Sequence, residues 1–71
     1  MAGVAEIVRR LRPERLELLA EIRDGYCHWR PGCGILERKG LIYRAEYANG
    51  PHAEFTDLGL DVCDYLANQP A

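Results

Sequence analysis

The sequence has no lysine or arginine after Arg44. It also lacks any apolar run of membrane-spanning length, so no transmembrane helix is expected. The apolar positions near its start, Val4, Ile7 and Val8, are interrupted by Glu6 and followed by Arg9-Arg10. They do not form the apolar stretch of a signal peptide, and a cytoplasmic location is the expectation. Cysteine is scarce: three residues, an odd number, fit free thiols better than a disulfide framework. There is no Gly-rich phosphate loop and no nucleophile with a spaced His and acid. Neither an enzyme nor a cofactor is expected.

With 71 residues, 48% of them hydrophobic and 28% charged, the chain suits one small globular domain. Its net charge of −2 conceals an asymmetry. All nine Lys and Arg residues lie at or before Arg44 against six acids, a local net of +3, whereas five acids and no cation follow, a net of −5. A polyanionic partner would meet the first two thirds of the chain.

Val4, Ile7, Val8 and Leu11 recur at i, i+3, i+4 and i+7, one stripe of a helix over about 3 to 11. Pro13 suits the first turn of a second helix, because its missing N–H would have had no intrahelical partner. That helix runs to about 24, with Leu16, Leu19, Ala20 and Ile22 facing inward and Gly25 as a left-handed stop. Tyr26-Cys27-His28-Trp29 reads as a brief strand. A helix of roughly two turns is expected from Pro31 to Gly40, with Ile35 and Leu36 inward; Gly32 and Gly34 weaken it by about 1 kcal/mol each.

In Leu41 to Tyr47, odd and even positions share opposite faces of a strand. Asn49-Gly50, a pair tolerant of positive φ, predicts a hairpin with a return strand through about Phe55. Thr56 can cap a last helix that runs to about Ala67, and Asp57 favours its positive end. Asp57, Asp61 and Asp64 form one narrow stripe, read as solvated surface. The wide apolar arc of Leu58, Val62, Cys63, Tyr65 and Leu66 predicts packing on two sides.

Three segments occur in a telling order. Leu11-Arg12-Pro13-Glu14-Arg15-Leu16-Glu17-Leu18-Leu19 resembles the opening of the first core helix of bacterial winged-helix regulators. Leu36-Glu37-Arg38-Lys39-Gly40-Leu41-Ile42 is similar to the end of their recognition helix running into the wing. Phe55-Thr56-Asp57-Leu58-Gly59 resembles the start of the helix after the wing. The resemblance spans roughly residues 11 to 66. Only Tyr26 to Lys39 separates the first core helix from the wing, so it is to a compact version, like small bacterial and bacteriophage winged-helix regulators. It implies an α+β fold: a small winged helix-turn-helix with a shortened helix-turn-helix region and a two- to three-stranded antiparallel wing sheet. Residues 1–71 would form one domain: a helical extension over 1–12, a core over 13–67 and a tail over 68–71.

The implied function is DNA binding, as a transcriptional regulator or accessory factor. Arg and Lys would neutralise phosphates of double-stranded DNA, and an Arg fork can also read guanine. The candidate contacts are Arg30, Arg38 and Lys39 about the short helix, with Arg44, Asn49, Gly50 and His52 on the hairpin. The plain alternative is that these are solvated surface charges. A different role on the same fold is a protein-interaction module, including a phage-type modulator of a host protein, docking through the N-terminal stripe or the last helix. A homodimer through Val4, Ile7, Val8, Leu11 and the last helix is a related expectation, unless the first helix folds beside the last one in its own domain. Trp29 reads as a plug at the core edge. Cys27, His28, Cys33, His52 and Cys63 are spaced unlike a zinc site, since Cys-x5-Cys exceeds the usual two to four intervening residues. No metal is expected.

Overall fold

A computed structural model describes residues 3–69. Residues 1–2 and 70–71, the outermost positions of the expected extension and tail, lie outside the described residues. Helices α1 (Val4–Arg10), α2 (Pro13–Arg23) and α3 (Cys33–Arg38) precede strands β1 (Ile42–Tyr47) and β2 (Gly50–Phe55), and α4 (Asp57–Ala67) follows. The architecture is α+β, with four helices and a two-stranded antiparallel sheet. No helix among the described residues is long and apolar enough to cross a membrane.

Both anticipated glycine stops are present. After α2, Gly25 has φ +107°, its N–H reaches the Ile22 carbonyl and the Tyr26 N–H reaches that of Glu21. After α3, Gly40 has φ +77°, with its N–H on Glu37 and the Leu41 N–H on Leu36. These paired bonds satisfy carbonyls that a helix end would otherwise leave bare. In the second case the buried side chains of Leu36 and Leu41 belong to the residues that close the bond.

Helix α3 begins two residues later than Pro31, at Cys33, because Gly32 takes φ +101° ahead of it. Its short length buries only Cys33 and Leu36, which are separated by three residues and share a face. Ile35 is therefore not inward as expected; it is 38% exposed. In α2 the buried set is Leu18, Leu19 and Ile22, with Leu16 and Ala20 half-buried. Leu18, not anticipated, lies beneath Gly32.

The hairpin pairs Ile42 with Phe55 at its base and Tyr47 with Gly50 at its tip. Its turn residues are Ala48 and Asn49, not Asn49-Gly50, and among the described residues no non-glycine has positive φ. Gly50, at φ +114°, comes after the turn pair, as in a hairpin whose turn is followed by one left-handed residue. The expected strand at Tyr26–Trp29 is reduced to a bridge between His28 and His52. It is flanked by bonds from the Ala53 N–H to the Cys27 carbonyl (2.7 Å) and from the Trp29 N–H to that of Pro51 (2.9 Å).

Thr56 caps α4 as anticipated, its hydroxyl accepting from the Gly59 N–H at 3.0 Å. The same hydroxyl donates to the Gly40 carbonyl at 2.5 Å, joining the start of α4 to the end of α3. Helix α4 packs on α1 and α2 and also touches β2, so its wide apolar arc is used on more than one side. Val4, Ile7 and Val8 lie against the core, and Leu11 is buried in it. The stripe lies beside the chain's own last helix. Leu19, Leu36, Leu41, Ile42 and Val62 are fully buried, each stabilising the fold by roughly 1.5–3 kcal/mol.

Candidate nucleic-acid interface

The cations separate into two groups by whether a carboxylate already holds them. Arg9 and Arg10 pair with Glu6, Arg23 with Asp24, Arg30 with Glu21 and Arg44 with Glu46. Arg12, Arg15, Arg38 and Lys39 have no carboxylate partner among the described residues.

Arg30 is the main departure among the expected contacts. Its guanidinium donates to the carbonyls of Tyr26 and His28, both at 2.8 Å, and to Glu21 at 2.6 Å. Three acceptors hold it across the turn between α2 and the His28 bridge, so it stitches the loop. A depression of about 480 Å³ opens here, lined by Glu21, Tyr26, His28 and Arg30, but the ion pair in its wall cancels the charge.

Arg38 and Lys39 are exposed at the last turn and cap of α3, where positive charge complements the helix dipole. Arg44 is exposed on β1, 3.2 Å from Glu46 and with its guanidinium 5.8 Å above the Trp29 ring. That distance is within cation–π range. Trp29 is half-buried against the core, in keeping with its reading as an edge plug.

Asn49 is exposed in the turn and Gly50 half-exposed beside it. His52 is not at the tip. It pairs across the hairpin with Ala45, two positions below the last pair, and its ring lies 4.6 Å from that of His28 and 4.9 Å from that of Tyr47. Its Nδ1 is 3.3 Å from Cys27 Sγ, and its Nε2 is buried without a partner. Neighbouring rings thus flank the imidazole, which sits two pairs back from the tip.

The cysteines and histidines do not gather as ligands. Cys33 and Cys63 are buried on different helices, and only Cys27 meets His52. Among the described residues no group of three or more His, Cys, Asp or Glu is placed to hold a metal ion. Burial pushes the Cys63 thiol up, partly offset by the Arg23 charge. On the outer face of the hairpin, Tyr43 and Tyr47 both reach the Glu54 carboxylate. That bond is the main reason the Tyr47 phenol is raised above its ordinary value.

A second depression is electrostatically one-sided. Arg10, Leu11, Arg12, Arg15, Ile35 and Lys39 line a cleft of about 210 Å³ between the α1–α2 junction and α3. Three of the four unpaired cations are in this wall. Of the anticipated contacts only Lys39 is here; Arg10, Arg12 and Arg15 were not singled out. The one trace of them in the sequence is the excess of cations before Ala45, which carries no information about which of them converge. Asp57, Asp61 and Asp64 are exposed on α4, as a solvated acidic stripe requires. No protein-family model, curated protein or solved structure matches this chain.

Proposed function

We propose that this chain is a small winged-helix DNA-binding protein, a regulator or accessory factor that meets duplex DNA with the end of α3 and the adjoining start of α2. The carrying observation is the sorting of charge. Of the cations held by carboxylates only Arg10 reaches this region, whereas Arg12, Arg15, Arg38 and Lys39, without carboxylate partners among the described residues, lie at two element ends, and three of them share one cleft. An unpaired cation gives up only water and counterions when it meets a phosphate, and the released counterions drive association. The hairpin that follows α3 is compatible with a small wing, with Arg44 and the turn at Asn49 as its exposed polar features.

Fluorescence anisotropy with a labelled duplex tests this reading. Four phosphate contacts predict a slope of log K against log[salt] of about −3 to −4. Replacing Arg38 and Lys39 with Ala should flatten it by roughly two. Absence of duplex binding at low salt would reject the proposal.

The second reading is a protein-interaction module. It is favoured by the outer hairpin face, where Tyr43 and Tyr47 remain 47% and 49% exposed. Tyrosine presents a large, rigid contact area at little entropic cost, which suits protein interfaces. A salt-insensitive complex lost on Tyr43→Ala and Tyr47→Ala, without duplex binding, would favour it.

A further inference from the structure

We infer that the cleft walled by Arg10, Arg12, Arg15 and Lys39 is a binding site for a single phosphate group. This deepens the DNA-binding reading, because a backbone phosphodiester is one source of that group, but it stands on observations that do not need DNA. Four cations and no acid line the cleft, and Arg10 is the only one already engaged, by Glu6 at 3.1 Å. Arg12, Arg15 and Lys39, with no carboxylate partner among the described residues, are three like charges around one cavity that repel one another, and an anion between them relieves that repulsion. The cleft's volume of about 210 Å³ far exceeds the ~10–15 Å³ that one water needs. A tetrahedral anion with its flanking atoms fits.

The remaining wall is apolar. Leu11 is buried and Ile35 half-open, so the cations act beside a low-dielectric surface that focuses their field. The unexpected exposure of Ile35 is what gives α3 a wall on this cleft. The Arg15 side chain lies beside Gly32: a Cβ built there would stand 3.4 Å from Arg15 Nη1 and 3.1 Å from Leu18 Cδ2. Its guanidinium is close to Gly32 and has no carboxylate partner among the described residues. A guanidinium left free of carboxylates offers two parallel N–H donors, the geometry that phosphate oxygens accept.

Nuclear magnetic resonance titration of the full chain with inorganic phosphate, at ionic strength held constant with sodium chloride, tests the site. Saturable shifts of the Leu11, Ile35 and Lys39 amides are expected. Arg12→Gln with Lys39→Gln, both at exposed positions, should weaken them at least tenfold, and Arg23→Gln should leave them unchanged. Absence of saturable shifts, or shifts that persist undiminished in the double variant, would overturn the inference. Oligonucleotide duplexes with and without a 5′-phosphate distinguish the source: equal affinity assigns the group to the backbone, and preference for the phosphorylated end assigns it to a monoester. Phosphate binding without duplex binding would leave the site standing and reject the DNA-binding proposal. Duplex binding with no phosphate shifts would do the reverse.

Discussion

Gly59 of α4 lies directly against the backbone of Leu41: a Cβ built on Gly59 would stand 1.9 Å from the Leu41 carbonyl oxygen. The helix crosses the start of the hairpin at a separation that only hydrogen in place of a side chain permits. Gly59→Ala should therefore destabilise the domain by about 2–4 kcal/mol, since backbone must move to admit the methyl. Gly34 is the contrast, helical and with nothing within 4 Å of its Cβ position. Gly34→Ala should stabilise by about 0.5–1 kcal/mol. Thermal melts of both variants, shifted in opposite directions, check the pair.

Thr56 has two partners, and its substitutions separate them from the general helix preference. Thr56→Ala removes the cap on Gly59 and the bond to the Gly40 carbonyl, for a loss of about 1–2 kcal/mol. Thr56→Ser keeps the hydroxyl and should recover most of that stability in urea unfolding.

Arg30 and Lys39 should behave oppositely. Arg30→Ala breaks three hydrogen bonds in the loop before α3 and should cost about 1–2 kcal/mol in unfolding, while the salt slope of duplex binding stays the same. Lys39→Ala should leave the melting temperature within a few degrees of the original and flatten that slope by about one. A changed slope in the Arg30 variant would contradict this assignment.

The Tyr47 phenol is raised because its proton is donated to Glu54, a bond lost on ionisation. A folded-state pKa above the unfolded value means the contribution is fully present below about pH 10 and lost as pH rises through the folded pKa. Carbon-13 resonances of the tyrosine rings, followed with pH, should show Tyr47 ionising above the usual phenol range. Glu54→Gln should bring it back down. An unchanged midpoint in that variant would refute the cause.

Thiol alkylation should be ordered by burial. Cys27 is half-exposed, whereas Cys33 and Cys63 are buried, and burial also raises the Cys63 thiol. Iodoacetamide in native buffer should modify Cys27 first, as read by mass spectrometry. All three should react alike in denaturant.

Wherever a feature depends on a few neighbouring residues, the amino-acid string already contains it. Gly25 and Gly40 end helices because left-handed φ strains other residues, Thr56 caps because its hydroxyl reaches an N–H three residues on, and the hairpin alternates with the pleat. Sequence and structure part where two local signals compete. Asn49-Gly50 reads as a turn pair, yet the left-handed residue is needed only after the turn, so Ala48 and Asn49 take the centre. Ile35 and Leu36 are equally apolar, and a six-residue helix has one narrow buried face, which Cys33 and Leu36 occupy.

The candidate site is of the other kind. Composition establishes that cations crowd the first two thirds of the chain, but not which of them already have carboxylates. Arg30 is neutralised because the chain reverses after α2 and brings Glu21 within 2.6 Å; His52 is enclosed because the His28 bridge covers it. Arg12 and Arg15 share a cleft with Lys39, more than twenty positions away, in a fold where Leu18 packs beneath Gly32 at the entry to α3. Helix stops, caps and pleats are decided by torsions and bonds within one turn of chain. The convergence of charge is decided by how the helices pack, and only the folded core settles that.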